Sequence, residues 1–475
     1  MIAFVATNAA VAGAFFNNDR WTVTSSPPFL VGPVGTPVTL TWGIAQDGTN
    51  VPNVLPGVDR SSNFVASLDS WFGGGSGALN SRPWFGFLES AFDRWESISG
   101  VEFVYESADD GSQLNTSTGI NGIRADIRIA GARYDGTVNG NAGVLAYNIA
   151  PDDGDLFFDT DDVGYYSNPA GDAFSLRHTL MHEIGHALGL GHITSSNSGQ
   201  IMEPFAQDTF DGPQVDDIRG VQFLYGDALE RNGGNNSAGA ATPLGAVSVG
   251  STATVGADAA AAGLVELADD DFVSINRSAD VDYYRFTLTE SAVVDVALAP
   301  VGPTYREVPE GGRLRVTNSA SVGDLRLEVH DAAGGLLGAS DAGGLGVTEG
   351  VGGLTLAPGD YFARVSGTTS STQLYQLDVA ATARSLIGDF NGDGLIDAAD
   401  YTVWRDDFGS TTDLDADADG SGEVDNADYA LWASAFGGAQ ASVIPEPAAG
   451  GATLVALLAS WAGAPRGIRR VNAVT

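Results

Sequence analysis

The sequence predicts a multidomain protein in which an α+β domain with a mixed sheet precedes an all-β sandwich and a small α module. Three observations carry this expectation. Up to residue 226, runs of strand-like alternation are interleaved with helical periodicity. From about 246 to 382 only short alternating runs occur, separated by Gly, Asp and Pro turns. After 386 an Asp-rich loop recurs at an offset of 28 residues, and each copy leads into an aromatic helix.

Taken in order, Met1 to Phe16 is apolar and small but lacks a basic start. It reads either as a truncated signal segment, with residues 1–25 as a signal remnant, or as a plain first strand. Val38, Leu40, Trp42 and Ile44 alternate with Thr39, Thr41 and Gly43, which predicts a half-buried strand. Trp84, Leu88, Ala91, Trp95 and Ile98 recur at helical spacing. Val101, Phe103 and Tyr105 alternate again, as do Ile127 and Ile129. Pro213 opens a further helix with Asp216 and Asp217 in its first turn, where the helix dipole favours acids. Its apolar face is Val215, Ile218, Val221 and Leu224, and it ends at Tyr225-Gly226. Residues 227–245 read as a linker. Short strands at Tyr283–Phe286, Val294–Val296, Leu325–Val329, Tyr361–Val365 and Leu374–Val379 then predict a sandwich over 246–382.

Composition narrows the partners. The 475 residues hold 22 basic and 60 acidic side chains, a net charge of −38. That excludes nucleic acid as a natural partner and disfavours an anionic membrane surface. With no cysteine, a thiol-based latency switch is excluded as well.

The chemistry concentrates in His182-Glu183-Ile184-Gly185-His186-Ala187-Leu188-Gly189-Leu190-Gly191-His192, which holds three of the five histidines. Histidines four apart share one helix face, so both imidazoles reach one metal ion. Glu183 can act on a water at that ion. Gly189 and Gly191 suit a helix that stops and turns, bringing His192 back as a third ligand. Three protein nitrogens leave the fourth position of tetrahedral zinc open, as a catalytic site requires. The competing reading is a solvated helix whose histidines bind nothing. His178 would be a surface or supporting residue, because a fourth ligand would close the site. His330, alternating with Leu327 and Val329, falls on the solvent face of a strand.

Residues 26–226 resemble the matrixin-like branch of the metzincin metallopeptidases. The resemblance rests on Phe92-Asp93-Arg94-Trp95, Ala125–Ile129, Val144-Leu145-Ala146, the histidine motif, Ile201-Met202-Glu203-Pro204 and Asp216–Gly220. It implies a metzincin α+β fold with one catalytic zinc on His182, His186 and His192. Peptide bonds would be hydrolysed with Glu183 as base and then acid, and Met202 would form the turn beneath the zinc. It further implies protein or peptide substrates added as a strand along Val144, Leu145 and Ala146, with 203–214 walling a pocket. A calcium ion at Asp159 and Asp162, helped by carbonyls of the 139–144 loop, competes with a merely solvated acidic loop. The family's second, structural zinc is expected to be absent, since Tyr147 and Phe157 stand where its histidines would be.

The sandwich resembles a pre-peptidase C-terminal domain. The duplicated loops place oxygen donors at positions 1, 3, 5, 9 and 12 with glycine at 6, a calcium pattern. The first loop uses Asp389, Asn391, Asp393, Asp397 and Asp400 with the Leu395 carbonyl at position 7. The second uses Asp417, Asp419, Ser421, Asp425 and Asp428 with the Glu423 carbonyl. Residues 386–438 therefore resemble a type I dockerin, which implies two Ca2+ ions and docking to a cohesin. Residues 443–470 resemble a PEP-CTERM sorting tail: Pro445-Glu446-Pro447, an apolar run shorter than the roughly 20 residues of a stable span, then Arg466, Arg469 and Arg470. This implies export and sorting machinery as partners. Together these readings predict an exported zinc endopeptidase, extracellular or at the cell surface. The alternative is a non-catalytic surface scaffold or adhesion protein.

Overall fold

The protein is described as a computed structural model covering residues 19–436 except 56–57, 116–117, 136–142, 196–198, 207–208, 261–262, 310–311, 342, 370 and 385. The proposed signal remnant (1–18 of it) and the sorting tail (443–470) lie outside these residues, as does most of the 139–144 loop. The chain divides into two compact units, 1–383 and 384–475.

In the first unit, Val38–Ile44 sits inside a five-stranded sheet ordered Val101–Tyr105, Val38–Ile44, Ile127–Ala132, Leu156–Asp159, Ala146–Asn148. The first three pairings are parallel and only the Ala146–Asn148 edge runs antiparallel. Val38–Ile44 was expected to be half-buried, yet Thr41 and Gly43 are buried too. Parallel strands are covered on both faces, which removes the alternation. Helix Phe85–Ser97 follows the predicted periodicity and buries Leu88, Ala91, Phe92 and Trp95. Trp42 stacks on Phe92 at 4.3 Å, joining sheet to helix. Trp95 donates from its indole to the Met181 carbonyl (2.9 Å), joining that helix to Ala170–Ala187, which carries the histidines.

Two further five-stranded sheets form the sandwich. One contains Thr252–Val255, Gln373–Ala383, Ala292–Pro300 and Glu349–Leu356, with Val273–Ile275 beside Gln373–Ala383. The other runs Leu336–Ser340, Gly323–Asp331, Gly359–Thr369, Val281–Leu288, Thr242–Val247. Alternate residues such as Leu325, Leu327 and Val329 fill the space between them.

Residues 227–245 hold two 3-10 turns, Ala228–Gly233 and Ala238–Ala240, and bury Asp227, Glu230 and Asn235. The segment is packed where an open linker was expected. The reason lies in what flanks it: the peptidase-like part and the sandwich share one core, with Val265, Phe272 and Leu374 joined to Trp95 and Val221. Strand Ile193–Ser195, directly after His192, pairs with Thr304–Pro309 of the sandwich part, which also pairs with Arg315–Asn318. Arg219 is fully buried between them, donating to the Thr372 carbonyl (3.0 Å) and to Tyr305.

In the second unit, helices Ala398–Asp407 and Asn426–Ala435 are capped by Asp397 and Asp425. The Trp404 indole donates to the Asp425 carbonyl (2.7 Å) and the Trp432 indole to the Asp397 carbonyl (3.1 Å). The repeat thus builds two equivalent halves that exchange one bond each.

Candidate metal centre

The helix bearing the histidines spans Ala170–Ala187, and φ is left-handed at Gly171, Asp172 and Ala173, so its regular turns lie beyond them. His182 and His186 sit one turn apart with ring centroids 4.8 Å from each other. The chain then reverses at Gly189, where φ is +100° and an added Cβ would lie 1.8 Å from the Asp19 carbonyl oxygen. Only glycine fits both conditions. The reversal returns His192, its ring 4.6 Å from His186 and 5.3 Å from His182. One nitrogen from each ring falls within 4.8 Å of the others.

Backbone carbonyls orient these rings. Nδ1 of His182 lies 2.6 Å from the Ile201 carbonyl, and Nδ1 of His186 lies 2.8 Å from the Leu190 carbonyl. A carbonyl only accepts, so each Nδ1 carries the hydrogen and Nε2 keeps its lone pair for a ligand. Burial, then the neighbouring rings, hold His182 well below the usual histidine range and His186 at about 3. The imidazoles of His182 and His186 are therefore neutral. Glu183 is buried, with Oε2 lacking any hydrogen-bond partner, and burial pushes its carboxyl up to about 8. Three imidazole nitrogens converging within 4.8 Å, two of them on rings whose Nδ1–H is held by a backbone carbonyl, form a donor set that fits a catalytic zinc.

Met202 packs beneath this set. A Cβ on Gly185 would meet its sulfur at 2.3 Å, so the glycine between Glu183 and His186 exists to admit Met202. The turn is held by Asp217, which accepts from the backbone N–H groups of Ile201 (2.8 Å), Met202 (3.3 Å) and Gln214 (2.8 Å). Asp217 thereby fixes the residue whose carbonyl orients His182. From sequence, Asp216 and Asp217 were only dipole partners. In the structure Asp216 instead pairs with Arg219 (3.3 Å) and accepts from Tyr305 (2.6 Å). The adjacent acid pair was the available signal; its division of labour depends on partners distant in the chain.

Other predicted positions fall as follows. Of Val144, Leu145 and Ala146, only Ala146 lies in the edge strand, which runs Ala146–Asn148; the Leu145 carbonyl accepts from Asp159 N and Tyr166 Oη. Asp159 accepts from the backbone of Tyr134, Asp135 and Asp161. Asp162 is buried with Oδ2 unpartnered, and burial, then Asp159, raise it to about 6. Tyr147 and Phe157 stack at 4.6 Å in a small apolar cluster. His178, placed at the surface or in a supporting role by sequence, is 3% exposed and packed between Phe174 and Phe210, so the surface option is corrected. His330 is half-buried beside Glu328 on the outward face of its strand.

In the second unit Asp417, Asp419 and Asp428 converge as a cation-sized group. Asp389 accepts from Asp393 N and Gly394 N, and Asp417 repeats this with Ser421 N and Gly422 N. Asp400 and Asp428 are fully buried and accept from the loop start and from Asp397 N and Asp425 N. Asn391 Nδ2 donates to Asp393, the Leu395 N–H also donates to Asp393, and Ser421 donates to the Glu423 carbonyl.

Residues 78–226 match the family model described as matrixin, Peptidase M10. The hatching enzyme of Paracentrotus lividus is 30% identical over 37% of this chain and 28% of that protein. Human matrix metalloproteinase-16 is 34% identical over 29% of this chain and 23% of its own length. Mouse stromelysin-3 is 30% identical over 43% of this chain and 41% of its own. The chain thus spans less than half the length of these curated relatives. A solved pre-peptidase C-terminal domain of collagenase from Bacillus anthracis aligns over 29% of this chain at 13% identity, but its TM-score of 0.17 supports no assignment. With the matched segment enclosing all three histidines, Glu183, Met202 and Asp217, residues 78–226 are a matrixin-type zinc metalloendopeptidase domain.

Proposed function

We propose that the protein is an exported endopeptidase that hydrolyses peptide bonds in protein substrates through this domain. The observation that carries the reading is the convergence of one nitrogen from each of His182, His186 and His192, with Glu183, next to His182 in the chain, buried and its Oε2 unpartnered. Zinc held by the three histidine nitrogens would supply the Lewis acidity that brings a water's pKa toward neutrality. Glu183 takes the proton of the attacking water on its carboxylate and returns it to the departing amine. Burial raises its carboxyl to about 8, which makes the carboxylate a stronger base toward the attacking water. The substrate aligns along the open edge of Ala146–Asn148 by main-chain hydrogen bonds. The 203–214 segment, of which residues 207–208 lie outside the described ones, walls the pocket beyond the scissile bond.

The test compares wild type with Glu183→Ala on an unfolded protein substrate, with and without a zinc chelator. Cleavage by wild type alone, abolished by the chelator, is expected. Equal cleavage by both would sink the mechanism, and cleavage by neither would favour the scaffold reading. The paired loops of the second unit support two Ca2+ ions and a dockerin-like role with a cohesin partner. An isolated 386–438 fragment should gain helical circular dichroism on calcium addition. The tail, outside the described residues, is read as a sorting signal that places the enzyme outside the cytoplasm, at the surface or released. Among the described residues no helix is long and apolar enough to cross a membrane.

A further inference from the structure

The pocket wall begins at Glu203 and ends at Gln214, and residues of the sandwich part reach both ends. Glu203 is buried and accepts from Ser195 N (3.0 Å) and from Ser195 Oγ. Ser195 closes strand Ile193–Ser195, which pairs with Thr304–Pro309 so that Ser195 faces Glu307 and Thr194 faces Val308. The N–H of Ile193 is taken by the Met202 carbonyl (3.0 Å) and that of Ser195 by Glu203. Successive N–H groups of a strand point to opposite sides, so Thr194 is the residue that exchanges backbone bonds with Val308.

At the other end Gln214 is 3% exposed, and its side-chain amide grips Val265 of the sandwich part in both directions. Nε2 donates to the Val265 carbonyl (3.0 Å), and Oε1 accepts from Val265 N (2.9 Å). An amide that exchanges both bonds with one backbone residue acts as a rung of a sheet ladder. Two residues earlier, Gly212 lies against the same segment: φ is +86°, and an added Cβ would lie 3.1 Å from Leu267 Cδ2. That segment is fixed in turn by Arg94, buried on helix Phe85–Ser97. Arg94 donates to the carbonyls of Asp269 (2.7 Å), Glu266 (3.3 Å) and Leu267 (3.4 Å).

The zinc helix holds the wall only in between, where Arg177 donates to Asp211 (2.9 Å) and His178 packs against Phe210. The zinc ligands are set by other means, since the Ile201 and Leu190 carbonyls orient His182 and His186. A pocket discriminates between side chains only as well as its wall keeps its shape. One methylene in an apolar pocket is worth about 10–200-fold in selectivity, so a small shift of the wall is felt there first.

We propose that the sandwich part positions the pocket wall: Val265 holds Gln214, and strand Thr304–Pro309 holds Glu203 through Ser195. The size of the side chain accepted after the scissile bond is then set by docking of the sandwich, while the zinc centre is not. The inference rests on the reading of 203–214 as that wall. Val265, Gln214 and Ser195 are positioning residues that act through the wall on the substrate.

The test uses the full chain and short peptides that differ only in the residue after the scissile bond. KM and kcat are measured separately, and zinc is counted per chain. Wild type should favour one size of side chain. Val265→Pro removes the N–H that Gln214 receives, and Val308→Pro removes the N–H given to Thr194 at an exposed position. Each should lower that preference by about tenfold through KM, with zinc content and the kcat of the favoured peptide kept. Val265→Ala retains the N–H and should keep the preference. So should Leu327→Ala, which loosens the sandwich between its two sheets. Should Val308→Pro fail to fold, Val265→Pro against Val265→Ala decides. An unchanged preference in Val265→Pro would overturn the proposal and leave the pocket reading standing. A wild type that cleaves the peptides without preference would overturn the pocket reading and the proposal with it.

Discussion

The two clusters in the first unit are built in opposite ways. The three histidines lie within eleven residues, two of them on one helix, and the backbone aims their nitrogens. The three buried acids Glu230, Asp280 and Asp282 are drawn from distant positions, and only the docking of one part on the other brings them together. A centre made by one helix and one turn survives changes elsewhere. A centre made by docking reports on the docking itself.

That contrast can be broken by experiment. The largest effect expected is on turnover. Glu183→Gln should cut peptide hydrolysis by about 10²–10⁴-fold, the usual worth of a positioned acid–base group, with an unchanged melting curve. Glu230→Gln should do the reverse, keeping kcat while shifting the melting temperature. If Glu230→Gln abolished turnover with the fold intact, the two centres would not be separable. Next comes pH. Asp280, raised to about 8 when folded against 3.8 as its ordinary value, binds its proton more tightly in the folded state. Its contribution is fully present below about pH 4 and is lost as pH rises through about 8. Chemical denaturation from pH 5 to 9 should show falling stability, which Asp280→Asn should flatten. Asp227, raised to about 7, and Asp282, raised well above the usual carboxylate range, titrate in the same field and broaden the transition. Gly185→Ala is smaller: forcing a methyl against Met202 should cost about 1–3 kcal/mol of stability by thermal or denaturant melting. Smallest, Trp404→Phe removes one indole bond to Asp425 and should cost the second unit about 0.5–1.5 kcal/mol.

Legibility in the sequence followed the same divide. Helices Phe85–Ser97 and Val215–Tyr225, the alternating strands and the metal-binding motif could be read because their signals are periodic or contiguous. Thr41 and Gly43 in the first strand misled because they are buried without being hydrophobic: Thr41 bonds Asp126, and Gly43 sits where a Cβ would lie 2.7 Å from the Glu106 carbonyl oxygen. Asp217, Gly185 and the acid cluster were not readable as parts of centres. Their roles depend on groups 15 or more residues away or on space that only a packed core defines. The surface option for His178 stayed open because a lone histidine on a helix carries no mark of the phenylalanines that will enclose it.

The pairing of Ile193–Ser195 with Thr304–Pro309 bears on how such a protein can be cut and rebuilt. A gene fragment ending at 226 would carry every zinc ligand. It would also leave a strand edge unpaired beside His192 and strip Arg219 of the Thr372 and Tyr305 oxygens that receive it. Such a fragment should aggregate, and lineages that exchange domains should inherit residues up to 383 as a single piece.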